Sequence, residues 1–302
     1  MNSGKAVSEV VVSTVILSKP GIILSVVFTG FAGMVIAGKA VPGLSVAVIG
    51  CLTLLASAAG SAILNNYLDR KADKMMDRLT ARRGALERLG ERNAVVVASV
   101  MIAGSVAVSA VWLNLYNALL IVLAAVSYTV LYTIFLKRRS PFGTILGGIP
   151  GALPVLIGYT AVRPEIGMDG FVLFAFMMLW QPPHFWALAQ KYSHEYEKAG
   201  ITVLPVAFGE KYTNILIVLY SISLIPLTLI MSLMGITSVY FAAAAFALGV
   251  YFNFMVVRCA VKGKDYEAAF AASIIYMLLI MTALIVDVVM KEKEINDLIK
   301  LL

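Results

Sequence analysis

Nine stretches of mostly apolar residues follow one another along the chain, and they constrain the fold more than any other feature. A helix needs roughly 20 apolar residues to cross a hydrocarbon core about 30 Å thick. Apolar residues make up 61% of the 302 positions and charged residues 14%, whereas soluble domains have roughly half and a quarter. Lipid must therefore be the solvent of this chain. The predicted spans lie near 20–38, 44–64, 94–113, 116–135, 143–161, 169–188, 214–234, 237–257 and 268–289.

Positive charge is distributed very unequally between the two sides of these spans. With a cytoplasmic N-terminus, 19 of the 24 Lys and Arg residues fall on the cytoplasmic side and five on the other. This asymmetry is typical of membrane proteins, whose cytoplasmic loops are rich in Lys and Arg. We therefore predict an integral protein of the plasma (inner) membrane of a prokaryote, or of the mitochondrial inner membrane, with its polar loops in the cytoplasm. Because the net charge of +7 is confined to loops, nucleic acid is not an expected partner.

We predict a single all-α transmembrane domain over residues 1–302, with a short N-terminal tail at 1–18 and a C-terminal tail at 290–302. Gly, Pro and His interrupt the fifth and sixth spans. Such interruptions are tolerated at membrane depth where the backbone is buried in protein or lines a cavity. The nine helices are therefore expected to surround a central cavity that opens toward the cytoplasm.

A ladder of polar residues at the cytoplasmic end of the second span is the most informative motif. Asn65, Asp69 and Asp73 are spaced by four residues, and Asp77 continues the repeat. Four residues of α-helix rotate by about 400°, so the first three share one face. Like charges at this spacing repel, which indicates a cation between them. Oxygen ligands in low number suit Mg²⁺, which keeps other positions for water and phosphate.

Basic residues surround this ladder in the sequence. Arg70 and Arg78 lie in the same loop, and Lys137 and Arg138 follow the fourth span. Guanidinium and ammonium groups beside Mg²⁺ are the chemistry that holds a diphosphate. The alternative is a solvated loop whose acids pair with neighbouring Lys and Arg.

A second acidic loop follows the sixth span on the same side. It carries Lys191, Glu195 and Glu197. Acidic loops after spans two and six predict two halves of the bundle that face one another.

Several motifs carry a resemblance to a known family. The spacing of Asn65, Asp69 and Asp73 resembles the first acidic motif of the intramembrane aromatic prenyltransferases. The run Trp-Gln-Pro-Pro-His-Phe-Trp at 180–186, with the stretches 132–138 and 196–206, is similar to the heme O synthase branch of that superfamily. Where quinone-type relatives carry a second aspartate pair, this chain has Lys191 and Glu195.

The resemblance implies transfer of the farnesyl group of farnesyl diphosphate to a vinyl group of protoheme IX, with addition of water, giving heme O and diphosphate. It implies Mg²⁺ on Asn65, Asp69 and Asp73. The implied catalytic residues are Asn65, Asp69, Asp73, Lys191 and Glu195. The implied diphosphate-binding residues are Arg70, Arg78, Lys137 and Arg138.

His184, Trp180 and Trp186 are the candidate contacts for the porphyrin. An uncharged histidine at membrane depth needs a ligand or a hydrogen-bond partner, so the alternative is a histidine satisfied by a neighbouring helix. Expected partners are farnesyl diphosphate, protoheme IX, the lipid bilayer and a downstream heme-modifying or oxidase-assembly protein.

Two other functions fit parts of the pattern. The acidic motif alone also permits prenylation of a quinone precursor or another aromatic acceptor. Intramembrane acids also occur in cation-coupled transporters, but nearly all acids here lie at one membrane face, which disfavours a path through the bilayer.

Overall fold

The computed structural model describes the backbone of residues 3–301 and the side chains of residues 8–293. Within that part the chain is helical and contains no strand. A 3₁₀ turn (Asp77–Leu79) and a π-helix (Ser127–Leu136) interrupt the α-helices. The α-helices are α1 (Ser3–Ser18), α2 (Pro20–Gly38), α3 (Leu44–Asp73), α4 (Thr80–Leu89), α5 (Glu91–Trp112), α6 (Leu115–Val126), α7 (Gly143–Leu146), α8 (Ile149–Val162), α9 (Met168–Lys191), α10 (Ser193–Lys198), α11 (Leu204–Leu233), α12 (Val239–Lys262) and α13 (Tyr266–Leu301).

The prediction of nine spans is confirmed. In the described residues, nine helical segments are long and apolar enough to cross a membrane, and each overlaps one predicted span. The largest difference is at α11, which begins at Leu204 rather than near 214. Its first turn is apolar, with Leu204 and Pro205 buried, and the non-helical Gly209 (φ 79°) followed by the charged Glu210 and Lys211 separates this turn from the predicted span. Large apolar side chains such as Leu115 and Val261 are exposed on the outside, as lipid contact requires.

Consecutive spans pack against one another along the chain. Each spanning helix contacts the next, and α13 contacts α2. The spans do not form a simple ring, because α2 also packs on α8 and α9 on α13, and the central cavity stays a prediction. The loops after the second, fourth and sixth spans meet at the same end of the bundle.

Glycine allows a close backbone contact between α2 and α8. A Cβ atom on Gly158 would lie 1.7 Å from the Gly30 carbonyl oxygen, and one on Gly33 would lie 2.1 Å from the Val155 carbonyl oxygen. Small residues allow this backbone approach in membranes. The first and fifth spans therefore form one rigid pair.

The residues before the first span, which the sequence pattern treats as a tail, form α1. This helix packs on α3 and α4, and Leu17 is fully buried. Asn66 Nδ2 donates to the Leu17 carbonyl oxygen at 2.8 Å. At the other end, α13 continues through most of the predicted C-terminal tail.

A small apolar cluster joins the two acidic loops. Met76 and Leu79 from the first loop pack with Tyr196, Ile201 and Val203 from the second. The predicted approach of the two loops is thus present in the structure.

Candidate active site

Helix α3 carries the polar ladder into the interior of the protein. Asn65, Asp69 and Asp73 are 6%, 1% and 7% exposed, so all three side chains are buried on the face that the four-residue spacing predicts. The helix ends at Asp73. Asp77 lies in the 3₁₀ turn and is exposed, so it does not extend the ladder.

Asp69 is the centre of the site. Its Oδ2 atom lies 2.5 Å from Lys137 Nζ and accepts a 2.9 Å hydrogen bond from Asn65 Nδ2. Its Oδ1 atom lies 3.7 Å from the Arg138 guanidinium but is buried without a hydrogen bond. A carboxylate oxygen in a low-dielectric site is costly without a donor or a cation. Asp69 is therefore built to take one more positive partner.

The π-helix places several side chains against this ladder. Residues five apart stack in a π-helix because its hydrogen bonds join positions i and i+5. Thr133 Oγ1 donates to the Tyr128 carbonyl oxygen at 2.8 Å. The Lys137 backbone N–H donates to the Tyr132 carbonyl oxygen at 2.9 Å. In an α-helix the nine residues from Tyr128 to Lys137 would rotate by about 900°, onto opposite sides. The π geometry lets both residues face α3.

Lys19 enters the site from the junction between α1 and α2. The residue has a left-handed backbone (φ 58°), and its Nζ atom donates to Asn65 Oδ1 at 2.6 Å. The Tyr128 hydroxyl lies 3.4 Å from the same nitrogen. Burial lowers the pKa of Lys19 to about 7, and the nearby charges of Arg82 and Lys137 lower it further. Lys19 is thus a site residue that motif spacing does not reveal.

The donor set fits a magnesium ion. Asp69 Oδ1 has no hydrogen bond, and the buried Asp73 makes no ion pair with any residue whose side chain is described. Nowhere in the described part of the chain do three or more His, Cys, Asp or Glu side chains come together. One or two carboxylates with space for water and phosphate is the usual protein contribution to a Mg²⁺ site.

A basic cleft of about 420 Å³ lies beside Asp73, between α3, α4 and the start of α5. Arg70 lines it and is paired with Glu91 at 3.0 Å. Burial lowers the pKa of the Arg82 guanidinium, and so does the charge of Arg78. The other basic residues of the cleft are Lys71, Lys74 and Arg83.

The second acidic loop contacts the first loop, and its charged residues form ion pairs, although Glu195 Oε2 is buried without a hydrogen bond. Glu195 Oε2 lies 3.2 Å from Arg78 Nε, and the Arg78 guanidinium also donates to the Tyr196 hydroxyl at 3.2 Å. Lys191 Nζ lies 2.6 Å from Glu267 on α13. The structure thus brings Asn65, Asp69, Lys137 and Arg138 together, while Arg78, Glu195 and Lys191 make their contacts elsewhere.

Comparison with known proteins identifies the family of this chain. The UbiA prenyltransferase family matches residues 26–279. The chain belongs to this family. A relative named protoheme IX farnesyltransferase, from Geotalea uraniireducens, is 44% identical over 84% of this chain and 98% of the relative. A relative of the same name from Aquifex aeolicus is 35% identical over 94% of this chain and 98% of the relative.

A solved structure shares the UbiA fold. The UbiA homolog from Archaeoglobus fulgidus bound to GPP and Mg²⁺ has a TM-score of 0.67, over 92% of this chain and 99% of that one. The two sequences are 18% identical, so the likeness concerns the fold. It confirms the predicted all-α architecture.

His184 in this UbiA-family chain has a defined environment on α9. Its ring is stacked between Trp180 and Phe270, with both centroid distances 4.5 Å. Its Nδ1 atom lies 2.7 Å from Ser273 Oγ, and that hydroxyl donates to the Phe270 carbonyl oxygen at 2.6 Å. The hydroxyl proton is therefore already used, so Nδ1 must donate and Nε2 must carry the lone pair. A neutral imidazole held in this way is arranged like a metal ligand.

The two tryptophans differ in their surroundings. Trp180 stacks on His184 and donates from Nε1 to the Ser273 carbonyl oxygen at 2.8 Å. Trp186 is fully buried and meets the Tyr220 ring edge-on at 5.2 Å. Trp180 thus belongs to the histidine site, and Trp186 packs between α9 and α11.

Sequence reasoning missed Lys19, Tyr128 and Thr133. Lys19 could have been found because it is the Lys that directly precedes the first span. Tyr128 and Thr133 are five apart, a spacing that indicates nothing in an α-helix and becomes meaningful only once the π-helix is known.

Proposed function

We propose that this chain transfers the farnesyl group of farnesyl diphosphate to a vinyl group of protoheme IX, with addition of water, and so produces heme O and diphosphate. Its relatives at 44% and 35% identity, which it covers almost completely, are named for the farnesylation of protoheme IX. The observation that carries the diphosphate half of the proposal is the buried Asp69, whose Oδ1 has no hydrogen bond although Lys137 and Arg138 stand beside it.

Asn65, Asp69 and Asp73 would hold the metal ion. Mg²⁺, when bound, supplies the positive charge that stabilises diphosphate as a leaving group. Asn65 Nδ2 positions the Asp69 carboxylate through a 2.9 Å hydrogen bond and is itself fixed by Thr133 Oγ1 at 3.0 Å. Such outer contacts orient metal ligands.

Lys137 and Arg138 would bind the diphosphate oxygens, with Arg70 and Arg78 as further cationic contacts from the first loop. Lys137 and Arg138 reach Asp69 from the end of the π-helix, so they stand where a metal-bound diphosphate would arrive. The bond between the farnesyl carbon and the diphosphate oxygen breaks, and a carbon–carbon bond to the vinyl group forms. Lys191 and Glu195 of the second loop stay predicted catalytic residues. Lys191 pairs with Glu267, and Glu195 pairs with Arg78.

His184 would bind the acceptor through the lone pair on Nε2, with Trp180 beside it. The ring is fixed by two aromatic neighbours and by Ser273, so its direction is set before the acceptor arrives. Trp186 would support this arrangement from within the core.

We also propose that residues 1–302 act as a single prenyltransferase domain in the plasma (inner) membrane of a prokaryote or the mitochondrial inner membrane. The 19 of 24 basic residues on one side support a cytoplasmic N-terminus and cytoplasmic catalytic loops. Because heme O is apolar, we expect a downstream heme-modifying or oxidase-assembly protein to receive it.

Cysteine labelling tests the orientation. In a variant without Cys51 and Cys259, a cysteine at Lys39 should react with an impermeant maleimide from outside, and a cysteine at Lys198 should not. The reverse result would overturn the orientation.

Product analysis tests the reaction. Purified protein in lipid nanodiscs receives Mg²⁺, farnesyl diphosphate and either hemin or 4-hydroxybenzoate, and mass spectrometry follows the products. The proposal predicts hydroxyethylfarnesyl heme and no prenylated phenol. A prenylated phenol without prenylated heme would assign the chain to quinone-type chemistry, and no product from either acceptor would favour transport.

A further inference from the structure

Helix α9 and helix α13 share a seam that the diphosphate site does not use. On α9 the seam contains His184 and, at the helix end, Lys191; on α13 it contains Glu267, Phe270 and Ser273. The three α13 residues are spaced by three, so they follow one face of that helix. The contacts therefore line up as one continuous strip.

The spacing on α9 places the two polar groups on the same side of the helix. Seven residues separate His184 from Lys191 and rotate by about 700°, close to two full turns, with a rise of about 10.5 Å. Pro182 and Pro183 precede this segment, so the turns between the two residues contain no proline. The two residues thus lie about two turns apart on one face of α9, where both contact α13.

Lys191 stands apart from the charges of the metal ladder. Asp69 of the ladder pairs with Lys137 and Arg138, and no ion pair among the described side chains joins Lys191 to Asp69 or Asp73. Lys191 instead pairs with Glu267, whose side chain is 74% exposed. An ion pair to such an exposed carboxylate contributes little, so a carboxylate of a bound molecule can replace Glu267 at low cost.

The proposed acceptor matches this strip chemically. Protoheme IX is a flat apolar ring with a metal at its centre and two carboxylates at one edge. A carboxylate is expensive in hydrocarbon, so the acidic edge must lie where a helix leaves the membrane. Lys191 is the last residue of α9 and meets that requirement.

We infer that Lys191 binds a propionate of the acceptor, while His184 two turns deeper faces its iron. This inference rests on the proposed function. It assigns Lys191 to the acceptor and gives α9 contacts with both the iron and a carboxylate of that molecule. It also explains why the lysine occupies the seam with α13 rather than the side that faces Asp69.

Acceptor kinetics with esterified heme test the inference. Hemin and hemin dimethyl ester are compared as acceptors for the wild-type protein, Lys191→Met, Lys191→Arg and the control Lys198→Met, which changes an exposed lysine of α10. The wild type should show a KM for the ester about 10-fold above that for hemin, as a charged hydrogen bond implies. Lys191→Met should show the higher KM for both acceptors and so lose the discrimination between them, while the KM for farnesyl diphosphate stays unchanged. Lys191→Arg and Lys198→Met should keep the discrimination.

Two results would overturn the inference while leaving the proposed function intact: a Lys191→Met variant that still discriminates against the ester, or one in which only the KM for farnesyl diphosphate rises. Titration of the wild type with hemin, followed at the Soret band, separates these two results from failure of the proposed function. A wild type that prenylates 4-hydroxybenzoate, and shows neither a heme spectral shift nor a heme product, would overturn both together.

Discussion

The two acidic loops, which lie at the same end of the bundle, look alike in the sequence and differ in the structure. After the second span, Asp69 and Asp73 are 1% and 7% exposed, and Asp69 Oδ1 has no hydrogen bond. After the sixth span, Glu195 is paired with Arg78 at 3.2 Å and Lys191 with Glu267 at 2.6 Å. Glu195 Oε2, like Asp69 Oδ1, is buried without a hydrogen bond. The difference is that the first loop gathers two almost inaccessible carboxylates, of which Asp73 makes no ion pair with any described side chain, whereas the acid of the second loop stands alone with its arginine.

This difference separates two roles for charge. Buried carboxylates short of partners are poised to bind a metal, because the metal supplies the missing positive charge. Paired side chains at a half-exposed surface instead hold loops together. We therefore assign the metal to the first loop and closure of the site to the second.

Of the substitutions in the two loops, that of Asp69 should lower the activity most. Asp69→Asn removes a metal-binding charge without changing size, so kcat should fall at least about 100-fold. Asp77→Asn is the matched control, because it removes the exposed acid that continues the same repeat. Steady-state assays with farnesyl diphosphate and hemin would show the contrast, and equal losses in both variants would refute the special role of the ladder.

Lys137→Met should have the second largest effect. It removes the ammonium 2.5 Å from Asp69 Oδ2, and loss of a charged hydrogen bond should raise the KM for farnesyl diphosphate about 10-fold. Arg139→Met, in the same loop, is the control, because Arg139 lies over the Phe135 ring rather than at Asp69. An unchanged KM in Lys137→Met would separate Lys137 from the diphosphate.

Glu195→Gln should have the smallest effect. Both partners of its ion pair are about a quarter exposed, so turnover should fall by no more than about fivefold. Arg78→Gln and the double variant complete a cycle that measures their coupling. Additive losses would show that the pair does not hold the loops together, and a loss as large as that of Asp69→Asn would give the second loop a metal-binding role.

Much of this architecture follows from the sequence because its causes are local. The thickness of the bilayer determines the nine spans, and a four-residue repeat on one helix puts Asn65, Asp69 and Asp73 on one face. Contacts between distant segments do not follow in this way. The hydrogen bond from Lys19 to Asn65 joins residues 46 apart. The π-helix that brings Tyr128 and Lys137 to one side has no characteristic spacing of apolar residues by which the sequence could reveal it.

The partners of the second loop were hidden for the same reason. Lys191 and Glu195 lie four positions apart, and both are predicted catalytic residues. Helix α9 ends at Lys191 and α10 begins at Ser193, and the two side chains pair with Glu267 and Arg78. Only the packing of α9 on α13 assigns Lys191 to Glu267.

Metal binding measured with Mn²⁺ in place of Mg²⁺ tests the central claim most directly. Electron paramagnetic resonance can titrate Mn²⁺ into the wild type, Asp69→Asn and Glu195→Gln in nanodiscs, each with inorganic diphosphate. The account predicts one bound ion in the wild type and in Glu195→Gln, and loss of that ion in Asp69→Asn. Retention of the ion in Asp69→Asn with its loss in Glu195→Gln would contradict the account.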